Sequence, residues 1–116
     1  MDKVAQHKQI IKEILIEDSK VETLANANIR RQFIADDERG HYLMYHIGWL
    51  DDYKRQYGCF MHLEVDEEGK VWIQHDGTDN PIAFRLIEKG IDKEDIVFGF
   101  HAPYKRAYSG FAAVNY

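Results

Sequence analysis

Arg55–Asp76, RQYGCFMHLEVDEEGKVWIQHD, decides how the rest of this chain is read. In its first half Tyr57, Cys59, Met61, Leu63 and Val65 alternate with Gln56, His62, Glu64 and Asp66. Strand side chains point to opposite faces in turn, so this period predicts a half-buried β-strand with its odd-numbered side chains inward. Asp66-Glu67-Glu68-Gly69-Lys70 then supplies turn residues ending in glycine, which fits a type I turn plus a bulge with Gly69 left-handed. A second strand, Val71 to Gln74, follows. With Asp66 opposite Lys70, Val65 faces Val71 and Leu63 faces Ile73 on the buried side. On the other side Glu64 meets Trp72 and His62 meets Gln74.

Upstream, Ile29–Asp36 predicts a strand with Ile29, Arg31, Phe33 and Ala35 on one face, and Asp36–Gly40 a turn. His41–Leu50 predicts another strand, with Leu43, Tyr45, Ile47 and Trp49 inward. Matching the inward faces pairs odd residues with odd ones, for instance Ile47 with Cys59, and Asp51–Lys54 connects this strand to the hairpin. The expected sheet is a four-stranded antiparallel meander. Residues 2–17 carry a helical stripe at Val4, Ile10, Ile11, Ile14 and Leu15, with Asp2 as N-cap; packing on one face of the sheet is its default use. Asp18–Asn28 reads as a frayed helix end and a loop.

Downstream, Pro81 suits a first helical position, with Asp79 or Asn80 as cap and Ile82, Ala83, Leu86 and Ile87 as the buried stripe. Gly90 followed by Ile91 is a glycine-terminated helix end with a hydrophobic clasp. Asp92 caps a further turn. Ile96–Phe100 is apolar and too short to assign as strand or buried loop, and an aromatic tail follows. The expected fold is therefore α+β: one domain, residues 1–116, with an N-terminal helix on one face of the meander and a C-terminal helix and tail.

Composition narrows the function. At 116 residues the chain can bury a single core without staples. Its single cysteine, Cys59, excludes an internal disulfide and fits a reducing, cytoplasmic setting. Neither a signal-peptide core nor a membrane-length apolar run is present. The net charge of −5 favours protein partners over phosphate-gripping, which usually needs a basic face.

Chemistry-bearing constellations are sparse. The histidines lack metal-ligand spacing, and no metal or cofactor site is expected. Cys59 among apolar neighbours is inert, and Ser19 and Ser109 lie in no nucleophile frame. His101, Tyr104, Lys105 and Arg106 form a candidate C-terminal site. It suits a phosphate or nucleic-acid contact, or a small hydrolase, against the blander reading of a proline-stiffened loop that pins the tail. A second candidate is the outer sheet face, where the register above places Tyr42, Met44, His46, Phe60, His62, Trp72 and Gln74. A solvated face should be more polar than this. Either the C-terminal helix and tail cover it, or a homodimer or protein partner does.

Several ordered motifs carry a resemblance. They are D-K-x-x-Q-x-x-Q-I-I at Asp2–Ile11, H-Y-L-x-x-H-I-G-W at His41–Trp49 and Y-G-C-x-x-H at Tyr57–His62. G-K-V-W-I-Q-x-D-G-T at Gly69–Thr78 and D-I-V-F-G-F-H-A-P-Y-K-R at Asp95–Arg106, followed by Y-S-G-F-A, complete the series. Each is weak alone; in series they resemble the XisI family of fdxN-element excision controlling factors, found mostly in cyanobacteria. Ala102, where many relatives carry a second proline, and the Asn115-Tyr116 end are small departures. The resemblance implies a non-enzymatic accessory role in programmed DNA excision, alongside an XisH-like protein or a site-specific recombinase. It implies no catalytic residue. A small hydrolase and a direct DNA-binding module are the rival expectations.

Overall fold

A computed structural model describes residues 2–21 and 27–116. The order of elements is helix α1 (Lys3–Ser19), strands β1 (Ala27–Asp36), β2 (His41–Leu50), β3 (Lys54–Val65) and β4 (Val71–Asp76), helix α2 (Ile82–Glu88), strand β5 (Ile96–Phe98) and the short helix α3 (Pro103–Arg106). The expected α+β class holds. The sheet has five strands in the order β1-β2-β3-β4-β5, with β1 to β4 antiparallel and β5 parallel to β4. The expected four-stranded meander thus gains a fifth strand, made of the first three residues of the run Ile96–Phe100 left open between strand and loop. Of Asp18–Asn28, expected as a frayed helix end and a loop, Asp18 and Ser19 close α1 and Ala27 and Asn28 open β1, while residues 22–26 lie outside the described residues.

The hairpin at the centre is built around Asp66. Its Oδ1 accepts from the backbone of Glu68 and Lys70 at 3.0 and 2.9 Å, and its Oδ2 accepts from Trp72 Nε1 at 2.9 Å. One carboxylate therefore closes the turn and fixes the first aromatic of the next strand. Gly69 takes φ +88, as the turn type required. Behind it His7 Nδ1 of α1 lies 2.6 Å from the Gly69 carbonyl, joining helix to turn.

Helix α1 starts where Asp2 accepts from the Ala5 amide at 2.8 Å. It buries Ile11, Ile14 and Leu15 against the sheet, each burial contributing about 1.5–3 kcal/mol. The sheet offers Tyr42, Met44, Met61, Leu63, Val65, Val71 and Ile73 to it, and Ile82, Ala83 and Leu86 of α2 with Ile91 and Ile96 complete this core. Neither Asp79 nor Asn80 caps α2. Asp76, at the end of β4, accepts from the Ile82 amide at 2.8 Å instead. Ile87, expected in the buried stripe, is half-exposed at 38%. The helix closes with Ile91 N donating to Leu86 O at 3.0 Å, and Ile91 is buried behind Gly90 as expected.

The expected faces of β2 are reversed. Tyr42 and Met44 lie in the core at 0% and 1% exposure, while Leu43, Tyr45 and Ile47 face away. The cause is a bulge in β3, where Met44 pairs with Met61 but Tyr45 pairs with Cys59, leaving Phe60 as the extra residue. A bulge shifts the alternation by one residue, so Met61 and Cys59 sit on opposite faces. A second bulge corrects the hairpin register. Val65–Val71, Glu64–Trp72 and Leu63–Ile73 pair as expected, but His62 pairs with His75 rather than Gln74.

Candidate functional site

The seven residues expected on one outer face divide between both. Tyr42 and Met44 are core, and an outward role for them is corrected by their burial. Phe60 packs on the helix-side core and stacks on His46 at a centroid distance of 3.9 Å, with the Arg31 guanidinium 5.4 Å from its ring. Burial lowers the His46 pKa from 6.5, and the Arg31 charge adds to that. His62, Trp72 and Gln74 do lie on the face opposite the helices. There Gln74 donates to Glu64 at 3.0 Å, and His41 Nδ1 lies 3.0 Å from His62 Nε2. Burial lowers the His62 pKa, and the neighbouring His41 lowers it further. Among the described residues no group of three or more His, Cys, Asp and Glu side chains is placed to hold a metal ion. No described helix is long and apolar enough to cross a membrane.

The C-terminal candidates also separate. Arg106 is buried at 4% exposure and is a fastener of the tail. It donates to the carbonyls of Phe98 and Val114 at 3.1 and 3.0 Å, and to Tyr116 O, with its guanidinium 5.1 Å from the Trp72 ring. The tail thereby folds round the β5 edge, Ala112 N donating to Ile96 O at 3.0 Å. Ala112 and Val114 then cover Trp72 and Val97 on the far face. Of the two covers expected for the outer face, the tail supplies one, over β4 and β5 only.

His101 is half-buried, its ring 4.6 Å from Phe100 and 5.4 Å from Phe98. Tyr104 and Lys105 are exposed. His101 therefore borders an aromatic cluster in which Phe98 meets Phe111 edge-on at 4.8 Å and Phe111 meets Phe84 at 6.4 Å. Phe84 and Phe100 of this cluster are 58% and 52% exposed, and outward aromatics of this kind usually mark an interaction surface. Sequence reasoning missed Phe84, because the helical period placed it merely off the buried stripe; the proximity of α2 to the tail exists only in three dimensions.

A second surface was missed for the opposite reason. Leu43, Tyr45, Ile47, Tyr57 and Cys59 read as core and instead line the far face of β2 and β3, with Tyr45 and Tyr57 rings 5.8 Å apart. Arg55 lies 5.4 Å from both the Trp49 and Tyr57 rings. What this set presents is apolar and aromatic surface, with Cys59 Sγ donating to the Met61 carbonyl at 3.2 Å.

The family model for XisI protein matches residues 1–113. A solved XisI-like protein from Anabaena variabilis ATCC 29413 superposes with a TM-score of 0.84 at 32% identity, covering 96% of this chain and 99% of that one. The fdxN element excision controlling factor XisI from the same organism gives a TM-score of 0.78 at 31% identity, over 97% of this chain and 100% of that one. No curated protein matches the chain.

Proposed function

This chain belongs to the XisI family, and from that membership we propose that it is a non-enzymatic accessory factor in the controlled excision of a DNA element. It works by holding a second protein, an XisH-like partner or the site-specific recombinase. The observation that carries this reading is the ring cluster of Phe84, Phe98, Phe100 and Phe111, from which Phe84 and Phe100 face outward. Half-exposed aromatic rings on a rigid frame are the common anchors of protein interfaces, because they bury much area for little lost freedom.

Co-expression with the product of the adjacent reading frame tests the proposal. The expected result is a stable one-to-one complex that survives gel filtration, and that the paired change Phe84→Asp and Phe100→Asp abolishes with the circular dichroism spectrum unchanged. A complex indifferent to that pair, or the absence of any complex, argues against it.

A further inference from the structure

We propose that the far face of β1 to β3 is the seat of a second copy of this chain, packed sheet to sheet about a twofold axis. This stands independently of the partner reading above. On an open antiparallel sheet the side chains facing water should be polar. Here Ile34, Leu43, Tyr45, Ile47 and Tyr57 stand together on neighbouring strands, with Ile34 45% and Tyr57 66% exposed. The chain covers the β4–β5 half of the same face with Ala112 and Val114, and no described element covers the other half.

More surface is exposed than a compact monomer of this size shows. The chain exposes 7317 Å², against roughly 6,600 Å² expected for a compact monomer of its mass. The excess, roughly 700 Å², is surface of the whole chain, to which this uncovered face contributes. The radius of gyration points the same way, at 15.1 Å against roughly 13.4 Å for a compact chain of this length.

Charge selects the occupant. Arg30 and Arg55 stand opposite Ile47 and Trp49 at one end of the face, and Glu64 stands opposite His41 at the other. A twofold axis through the middle brings the cationic end of one copy over the anionic end of its mate, so the face complements itself. A nucleic acid would call for cations along the whole length instead.

Sedimentation equilibrium from 1 to about 100 μM tests this on the unaltered protein, at concentrations where a standard interface holds. The expected mass is twice 13.6 kDa. Ile34→Glu with Tyr57→Glu changes only exposed positions and should raise the dissociation constant about 100-fold or more, with far-UV dichroism unchanged. Ile34→Glu alone serves as the milder version should the pair fold poorly. A monomeric wild type at every concentration overturns the proposal, including one that instead shifts a single-stranded oligonucleotide. A dimer untouched by the substitutions overturns it equally.

Discussion

At Gly48 the chain has no room for a side chain. A Cβ built there would stand 2.0 Å from the Asn28 carbonyl oxygen and 2.7 Å from Ile29 Cα, both backbone atoms of β1. Backbone cannot rotate out of the way as a side-chain tip can, so Gly48→Ala must push β1 off β2. The expected cost is about 2 kcal/mol or more, read as a lower urea midpoint. Tyr42 is a quieter case. Its ring is fully buried, yet its hydroxyl reaches Asp37 at 2.6 Å, and Lys12 of α1 holds the other carboxylate oxygen at 2.9 Å. The Tyr42 bond, with Lys12 next, holds the Asp37 carboxyl below its ordinary 3.8. Tyr42→Phe should cost about 1 kcal/mol. In a double-mutant cycle with Asp37→Ala the two losses should fall short of additive, and strict additivity would mean that the bond contributes nothing in solution.

At the scale of elements, long-range polar bonds fasten pieces whose apolar faces are small. Helix α2 buries only Ile82, Ala83 and Leu86, and Arg85 ties it to the end of α1 through a two-pronged contact with Asp18 at 2.7 and 2.8 Å. Helix α3 and the tail depend on Arg106 in the same way. Arg106→Ala removes the donor from several inward carbonyls and the cation from the Trp72 face. The tail from Ala107 onward should then loosen. Hydrogen exchange at the Ala112 amide should accelerate, and Trp72 emission should shift to the red as water reaches it. Unchanged emission would mean that Ala112 and Val114 hold by packing alone.

For the whole molecule, pH is the lever that reaches both faces at once. His46 on the helix side and His62 on the far side each have a pKa lowered from 6.5, chiefly by burial. The unfolded chain therefore binds more protons than the folded one once the pH falls below that value. Their contribution to stability is complete above pH 6.5 and is lost as the pH descends through the lowered folded values. The urea midpoint should be lower at pH 5.5 than at pH 7.5, and His62→Gln should flatten the slope. A midpoint that rises on acidification would reverse the sign and remove the burial argument. Sedimentation on the same samples would separate unfolding from dissociation of the proposed pair.

The sequence by itself determined what depends on near neighbours: the alternation of β3 from Met61 to Val65, the Asp66–Gly69 turn, the Asp2 cap, the α1 stripe and the Gly90–Ile91 clasp. Each follows from local sterics and hydrogen bonding within a few residues, and each stands in the folded chain. The motif series carried the family in the same way, being a pattern along the chain. Which side of β2 faces the helix was decided only by the tertiary structure. Both of its alternating sets, Tyr42 with Met44 and Leu43 with Tyr45 and Ile47, are apolar enough for a core, and hydrophobicity cannot choose between equals. The bulge at Phe60 made the choice, and packing against α1 fixes it. The aromatic cluster of α2 and the tail, and the inward turn of Arg106, likewise required a chain already folded round the β5 edge, because their partners lie on separate elements.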